Sequence, residues 1–500
     1  MGIIFKQSFR NTIVIYLGFA IGAINAIIFY PNILQDEYHG LITFLLSASN
    51  LFMPLIAFGI HNTIIKFFSS YQTQEDKDKF LSSVIVLPLL IALPIGFFWD
   101  GFHDFIISRL NAKNDNKVED YTLVIYVIAV CCAYFEVFYS WAKVHLKTVL
   151  GNVLKEFYNR AVVFVLLLAV FWGFITKSEF IYTLMILYIV RTLIMMFYAF
   201  KVYFPKLSFR LPTNTKEILK YSAYIFLAGS AGAIIIDIDK LMIPGKEEIK
   251  KASYYAVAVY IGSFIEAPGR ALGQILQPLT SKSLNENNEK EVSNLYQKSS
   301  LNLILISGLF FLLVNCSISQ LFRIMPEGYS GGEMVVLMIS LAKMFTMSLG
   351  NNRDIINNSK FYRMILPIGL GMAASVYLLN KLFYFSLDFG TEGLALSTLI
   401  SLFVFNVIKL WFVKEKFNMN PYTEQTYKIT AIILLFFGAF YFWDFSIPEL
   451  YLGKIPVHIL LNIILKSVLI LVAYLYVVYK LKISTQFNAL IGRFAGKFKN

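Results

Sequence analysis

Apolar stretches fill this chain from end to end, and the polar gaps between them are short. A helix needs about 20 apolar residues to cross the hydrocarbon core of a membrane, and about fourteen stretches are long enough. The predicted spans are 11–30, 41–68, 81–99, 121–143, 156–176, 180–203, 217–239, 252–276, 299–322, 333–353, 361–381, 391–413, 426–445 and 455–480. The pattern therefore predicts an all-α polytopic membrane protein without a separate soluble domain.

Lys and Arg are distributed unevenly between the two sides of the predicted membrane. An even number of spans places both termini on one side, and the termini and loops of that side hold about 31 of the 44 Lys and Arg residues. The opposite loops hold about 11. Because positively charged loops stay in the cytoplasm, the sequence predicts two cytoplasmic termini.

The composition fits a protein that lies in a lipid bilayer: 57% of the residues are hydrophobic and 15% are charged. The net charge of +13 follows mostly from the topology and from attraction to anionic lipid head groups, so no nucleic-acid partner is expected. The three cysteines, Cys131, Cys132 and Cys316, lie in apolar stretches and lack the spacing of a disulfide framework or a metal site.

The first twelve spans carry a weak internal repeat. A shift of about 210 residues pairs the tripeptide Gly-Ala-Ile at 22–24 with the same tripeptide at 232–234. With four more residues in the loop, Pro54 then meets Pro268, each of them partway along the next span. The order of these matches favours two homologous lobes of six helices each.

The predicted organisation is an N-terminal lobe, a C-terminal lobe and an added helix pair with a cytoplasmic tail: 1–210, 211–415 and 416–500. Because six is an even number, both lobes have the same orientation in the membrane. Parallel repeats about an axis along the membrane normal are typical of alternating-access transporters.

Motifs of soluble catalysis are missing from the sequence. It contains neither the G-x-x-x-x-G-K-[ST] loop that holds nucleotide phosphates nor the H-E-x-x-H zinc motif. The five histidines are scattered without ligand spacing. Asp237 and Asp239 form a D-x-D pattern of the kind that holds a metal and a sugar nucleotide, but polar residues at a helix end or a site in a lumen explain it as well.

Ionisable residues at bilayer depth are a stronger signal, because each is costly unless it faces a partner or a wet cavity. Arg191 lies near the middle of the sixth span, where it could face a substrate in a lumen or pair with Glu136 of the fourth span. Lys343 lies in the middle of the tenth span. Lys466 lies in the fourteenth, where packing or lipid head groups are favoured.

Further polar residues lie along other spans. Glu266 and Arg270 flank Pro268 and Gly269; they share one helix face and could pair with each other, or form part of a gate where the helix can bend. The candidate lumen residues are Arg191, Lys343, Arg270, Glu136, Glu266, Asn25, Asp239 and Lys66. Snorkelling to the interface is the simpler explanation for Lys66. The buried cations Arg191, Lys343, Lys466, Lys66 and Arg270 outnumber the anions Glu136 and Glu266, so an anionic substrate, such as a phosphate or diphosphate, is expected.

Four stretches resemble the polysaccharide-transporter (Wzx-like) branch of the MOP flippase superfamily. They are SFRNTIVIYLGFAIGAIN with MPLIAFGIHNTIIKFF, DIDKLMIPGKEEIKKASYYAVAVYIGSF, NNSKFYRMILPIGLGM and FGTEGLALSTLIS. In the second stretch Asp239 and Tyr255 stand at the polar and aromatic positions of that family. In the last, Leu394 and Leu396 replace small residues that are common there.

The resemblance implies a MATE-like, V-shaped bundle of two lobes in the bacterial inner membrane. It also implies export of a polyprenyl-diphosphate-linked oligosaccharide for O-antigen, capsule or related polysaccharide, with a glycan polymerase among the assembly partners. It implies no cofactor, and leaves coupling to H⁺ or Na⁺ open.

Two alternatives stay open at this point. A MATE-type cation antiporter would have the same fold, but its cavity would need buried carboxylates rather than cations. A membrane enzyme that polymerises or ligates glycans would usually need a sizeable extracytoplasmic segment for its catalytic residues. The longest predicted loop of that kind, from Asp100 to Asp120, has no convincing acid and base pair.

Overall fold

A computed structural model describes residues 2–110, 116–145, 147–206, 208, 210–452 and 455–488. Its first eleven helices are α1 (Gly2–Ile24), α2 (Gln35–Ala57), α3 (Ile60–Phe67), α4 (Gln74–Phe97), α5 (Trp99–Leu110), α6 (Thr122–Val144), α7 (Val149–Asn152), α8 (Asn159–Phe171), α9 (Lys177–Val202), α10 (Thr215–Met242) and α11 (Lys250–Ser263). The others are α12 (Ala267–Asn285), α13 (Glu289–Asn315), α14 (Ile318–Ile324), α15 (Glu333–Ser348), α16 (Asn352–Asn358), α17 (Ile365–Asn380), α18 (Gly390–Phe417), α19 (Glu424–Phe440) and α20 (Val457–Lys480). Two short strands, β1 (Tyr451–Leu452) and β2 (Ile455–Pro456), pair antiparallel before α20.

Each of the fourteen predicted stretches contains a helix, so the all-helical membrane fold is confirmed. Among the described residues, eight helices are long and apolar enough to cross a membrane, or nine if α15 and α16 form one bent span. Several other helices are too short to cross a membrane alone, such as α8 with 13 residues and α11 with 14. The number fourteen remains a prediction.

The first of these candidate spans, Ile13–Ala57, is interrupted in its middle. Its 45 residues would extend about 68 Å as a straight helix, more than twice the hydrocarbon thickness. The segment Asn25–Leu34 is π-helical and contains Pro31, which lacks the N–H that an α-helix needs. At Gln35 the backbone turns to a φ of 63°. The length of Ile13–Ala57 and the interruption in its middle fit two membrane crossings, as the sequence predicts.

Helices α2 and α3 are separated by a sharp break. Pro54 lies in the last turn of α2, and Phe58 and Gly59 then adopt left-handed backbone angles, with φ of 45° and 69°. Gly59 lies so close to α10 that a Cβ atom there would be 2.5 Å from the Ser222 carbonyl oxygen. Two independent reasons therefore require a glycine at position 59: the left-handed backbone angle and the close approach of α10.

The first compact unit consists of Met1–Val257 and Ile365–Leu394. Its core is organised around α6, which packs against α2 on one side and α9 on the other. Phe44, Ile125 and Leu184, one from each of the three helices, are almost fully buried in this core. The packing brings polar residues of α6 and α9 together at bilayer depth.

The second compact unit consists of Ala258–Met364 and Ala395–Asn500. Helix α13 is at its centre and contacts α12, α15, α19 and α20. Ile433 of α19 packs where Gly308 has no side chain, and the buried Tyr474 hydroxyl of α20 donates to the Leu305 carbonyl at 2.9 Å. The added helix pair is thus a packed part of this unit. The predicted lobe boundaries at 210 and 415 remain a prediction.

Candidate functional site

Arg191 is held near the middle of α9. The helix begins with a capping box, in which Thr176 and Glu179 each accept a hydrogen bond from the other's backbone N–H. Arg191 follows at about 21 Å along the helix axis. The neighbouring Thr192 hydroxyl donates to the Cys131 carbonyl of α6 at 2.9 Å. This bond fixes the rotation of α9 so that Arg191 contacts α6.

The Arg191 side chain is only 4% exposed, and few of its donors are satisfied. Its guanidinium stacks over the rings of Phe135, at 4.3 Å, and Tyr188, at 4.7 Å. Nη2 donates to the Cys132 Sγ at 3.4 Å, and Nε has no hydrogen-bond partner among the described residues. A guanidinium has five N–H donors, and a buried donor without a partner costs about 1–3 kcal/mol. Arg191 is therefore able to bind an additional anion.

Glu136 is paired with a residue that the sequence did not single out. Its carboxylate binds the Lys155 ammonium at 2.5 Å, so Glu136 is not the partner of Arg191 that the sequence offered as one explanation. Lys155 belongs to a π-helical segment, Val153–Tyr158, between α7 and α8. Such segments often occur at functional sites because they displace side chains from regular helical positions.

Two further residues complete this group. Lys143 shares the Glu136 face of α6, and its ammonium lies 3.9 Å from the Tyr139 ring centre. His61 of α3 also lies within electrostatic range of Glu136. We refer to Arg191, Lys155, Lys143, Glu136 and His61 as the α6 cluster. It contains three cations and one carboxylate, so its net charge is positive whether His61 is neutral or protonated.

Asn25 lies beside this cluster in the same unit. It is buried, and its amide donates to the Arg160 carbonyl at 2.8 Å. Arg160 in turn binds the Glu156 carboxylate at 3.3 Å. The Asn25 Oδ1 has no donor within the part of the chain that is described. Asn25 thus contacts the first turn of α8, directly after the segment that carries Lys155, and its Oδ1 is able to accept a further hydrogen bond.

Lys66 lies apart from the α6 cluster. Its side chain is exposed, and its ammonium lies 4.0 Å from the ring centre of Tyr221 on α10 and 5.4 Å from that of Phe67. This position agrees with the snorkelling explanation better than with a buried substrate contact.

Asp239 lies in a buried polar site formed by α10, α11 and α17. It accepts hydrogen bonds from the Tyr255 hydroxyl at 2.6 Å and from the Asn380 amide at 2.7 Å. The Asn380 Oδ1 has no donor among the described groups. A carboxylate next to an amide oxygen suits a proton or a small cation.

Asp237 belongs to a different network, although it is only two residues away. It accepts from the Ser47 hydroxyl of α2 at 3.0 Å and from Lys240 at 2.9 Å. Residues two apart lie on opposite sides of a helix, so the D-x-D pattern does not bring the two carboxylates to one ion. In the described ranges, no group of three or more His, Cys, Asp or Glu residues could hold a metal.

The second unit contains a similar pair. Lys343 of α15 binds Glu266 at 2.8 Å, a pairing that the sequence did not offer. Arg270 is exposed and lies close enough to act on the Glu266 charge. The structure thus places three of the predicted residues together, with two cations around one carboxylate.

Lys466 is only 1% exposed and binds Asp444, at the start of the loop after α19, at 2.8 Å. Gln320 lies within hydrogen-bonding range of the same carboxylate. A structural role for Lys466, which the sequence favours, agrees with this geometry.

The family model for polysaccharide biosynthesis proteins matches residues 5–266, which is more than half of the chain. The chain belongs to this family. A search of curated protein sequences finds no match. The predicted resemblance to the MOP superfamily is confirmed by this family and by the solved structures that share its fold.

Three of those structures illustrate the range of similarity. The lipid II flippase MurJ, in an inward closed conformation, is similar with a TM-score of 0.67 and 17% identity over 96% of this chain and all of that one. An inward-facing multidrug resistance MATE transporter of the MOP superfamily has a TM-score of 0.61 and 12% identity, over 81% of this chain and 94% of that one. A MOP superfamily transporter from Pyrococcus furiosus has a TM-score of 0.57 and 13% identity, over 83% of this chain and 96% of that one. At these identities the likeness establishes the fold, which is that of membrane transporters.

The sequence did not indicate Lys143 and Lys155 as candidate substrate-binding residues. Both lie at the ends of predicted spans, where lysines are explained by snorkelling. One signal was available, because Glu136 and Lys143 are seven residues apart and therefore share a helix face. No pattern in the sequence shows that Lys155 reaches Glu136, since that contact depends on how α6 packs against the π-helical segment.

Proposed function

We propose that this protein moves a polyprenyl-diphosphate-linked oligosaccharide from the cytoplasmic to the outer leaflet of the bacterial inner membrane. The transport would proceed by alternating access and supply O-antigen, capsule or a related polysaccharide. The family supports a role in polysaccharide biosynthesis, and the fold supports transport. A glycan polymerase that receives the product is the expected partner.

The observation that carries this proposal is the positive charge of the α6 cluster around an under-satisfied Arg191. A diphosphate esterified at both ends carries two negative charges and several acceptor oxygens. Arginine binds such oxygens in a bidentate way, and lysine adds a point charge. The three cations and the single carboxylate of Glu136 leave an excess of positive charge, which the two phosphates of the substrate would neutralise.

The arrangement of the cluster along α6 suits a substrate that arrives from the cytoplasm. Lys143 lies at the end of α6, and Cys132, which contacts Arg191, lies about 16 Å deeper along the helix. With cytoplasmic termini, the α6 end that carries Lys143 faces the cytoplasm. The diphosphate would meet Lys143 first, then Lys155, and finally Arg191.

The first test replaces Arg191. Arg191→Ala should lower the rate of lipid-linked oligosaccharide flipping in proteoliposomes by roughly 10- to 100-fold, because a charge-assisted hydrogen bond contributes about 1.5–3 kcal/mol. Arg191→Lys should recover part of this loss. The matched control is Arg363→Ala, which removes an exposed arginine just before α17 and should leave the rate unchanged.

Membrane level and melting temperature are measured for all three variants. A well-folded Arg191→Ala variant that flips at the normal rate would remove Arg191 from the substrate path. Imposing H⁺ and Na⁺ gradients in the same proteoliposomes tests our further proposal that one of these ions drives the cycle, with Asp239 as its candidate site.

A cation antiporter of the MATE type is the second candidate. The buried carboxylates of Asp237 and Asp239 favour it, because a cationic drug needs a buried anion. Both already accept hydrogen bonds, whereas the excess charge of the α6 cluster is positive. Cells that lack the protein would become drug-sensitive if this alternative were correct, and would lose surface polysaccharide if it were not.

A further inference from the structure

A crevice lies between α4 and the segment that joins α9 to α10. Its volume is about 130 Å³, several times the volume of a water molecule. Its wall is mostly apolar and consists of Phe80, Ser82, Ser83, Val84, Val86, Leu87, Leu90, Ser208, Leu211, Pro212, Thr215 and Ile218. All of these residues belong to the first unit.

The crevice is formed because the joining segment is tied to the first turns of α4. The Ser208 backbone N–H donates to the Ser82 hydroxyl at 3.0 Å, and the Tyr203 hydroxyl donates to Asp78 at 2.6 Å. Beyond these bonds, side chains of the wall open toward the predicted lipid: Leu90 is 60% exposed and Leu211 is 67% exposed. From Ser83 to Leu90 the wall extends about 10 Å along α4, a length that suits part of an acyl chain.

Exposed cations are frequent in the chain beside the crevice, although the residues that line it are uncharged. Glu75 of α4 lies within electrostatic range of Arg210, but it already pairs with Lys79 at 2.7 Å. The residues between the end of α9 and the first turns of α10 include five exposed cations and one exposed acid: Lys201, Lys206, Arg210, Lys216, Lys220 and Glu217. The sequence places this segment on the cytoplasmic side, where the leaflet carries anionic lipids. An apolar slot in the bilayer and a basic surface at its end complement the two parts of one anionic phospholipid.

We infer that the crevice is a binding site for an anionic phospholipid of the cytoplasmic leaflet. One acyl chain occupies the slot along α4, and the phosphate lies against Arg210 and Lys216. The bound lipid fills the gap between α4 and the joining segment, and it thereby stiffens the connection between α9 and α10. This site is distinct from the α6 cluster and does not depend on what the protein transports.

The test is native mass spectrometry of the full-length protein, purified from an equimolar mixture of phosphatidylglycerol and phosphatidylethanolamine. The normal protein should retain one phosphatidylglycerol, at least about fivefold in preference to phosphatidylethanolamine, since two basic contacts act on the anionic head group. Ser83→Trp fills the slot and should abolish retention. Leu93→Trp, a matched control on the same helix outside the slot, should retain the lipid.

The double variant Arg210→Gln with Lys216→Gln tests the head-group contacts. It should still retain one lipid but lose the preference for phosphatidylglycerol, whereas Lys282→Gln with Lys290→Gln should keep that preference. If Ser83→Trp does not fold, a phosphatidylglycerol with a photoreactive acyl chain still tests the site in the normal protein. It should label peptides that cover 80–90 and 211–218.

Three results would overturn the inference: equal retention of the two lipids by the normal protein, unchanged retention by a folded Ser83→Trp variant, or labelling elsewhere. Undecaprenyl phosphate is added as a competitor. If it displaces phosphatidylglycerol at equal concentration, the slot belongs to the prenyl carrier and the phospholipid assignment is wrong. Loss of flipping in Arg191→Ala with intact lipid retention would separate this site from the transport site.

Discussion

At the scale of single residues, the meaning of a buried charge depends on its partner. Arg191 and Lys466 both lie in the middle of predicted spans, and the sequence alone hardly distinguishes them. In the structure Lys466 binds a carboxylate at 2.8 Å, whereas the best polar acceptor of Arg191 is a cysteine sulfur. A satisfied cation is explained by packing, and an under-satisfied cation calls for an anionic ligand.

Asp444→Asn tests the satisfied pair. It would leave the Lys466 ammonium buried without its counter-ion and should destabilise the protein by roughly 1–3 kcal/mol. Asp388→Asn is the matched control, because the Lys246–Asp388 pair has an 80% exposed carboxylate and should contribute little. Thermal unfolding in detergent measures both. Equal melting temperatures for the two variants would contradict a structural role for Lys466.

At the scale of elements, breaks in the helices carry the specific features of the fold. Lys155 lies in one π-helical segment, and Asn25 begins another that contains Pro31. Hydropathy detects the apolar stretch in each case, but it does not show where the hydrogen-bond pattern shifts. That shift depends on close neighbours, such as Gly18, whose missing side chain makes room for the Glu156 carbonyl.

Gly59→Ala tests the break between α2 and α3. The substitution adds a Cβ 2.5 Å from the Ser222 carbonyl oxygen at a residue with a φ of 69°. We expect a loss of roughly 2–4 kcal/mol from backbone strain and displacement of α10.

Gly173→Ala is the control for this substitution. Gly173 has a φ of 75° but no atom within 4 Å of a new Cβ, so only the backbone cost of about 1 kcal/mol applies. The difference between the two melting temperatures isolates the contact with α10. No difference would mean that α10 moves away without cost.

At the scale of the whole molecule, topology is the main open prediction. A cysteine at Gly101 should be labelled by a membrane-impermeant reagent from outside intact spheroplasts, and one at Glu75 should be labelled only after the membrane is opened. The native Cys131, Cys132 and Cys316 are replaced by serine first. The reverse labelling pattern would overturn the cytoplasmic placement of the termini, and with it the side from which the α6 cluster is reached.

The sequence by itself determined the class of protein, because a bilayer imposes one strong rule. Backbone groups within lipid must be hydrogen-bonded inside a helix or a closed barrel, and apolar stretches of more than about 20 residues, such as 121–143 and 180–203, fit a helix. The candidate Arg191 was also visible, since a charge at bilayer depth stands out against apolar neighbours. The expected excess of buried cations is not a general feature of the structure, because Lys66 and Arg270 are exposed.

Only the tertiary structure decided which charges meet. Glu136 pairs with Lys155, where the sequence offered Arg191, and Glu266 binds Lys343, which the sequence did not connect with it. Side-chain pairing depends on helix rotation, on the breaks between helices and on packing between residues far apart in the chain. A local apolar pattern encodes none of these three factors. Together they leave Arg191 buried with an Nε donor that has no hydrogen-bond partner among the described residues.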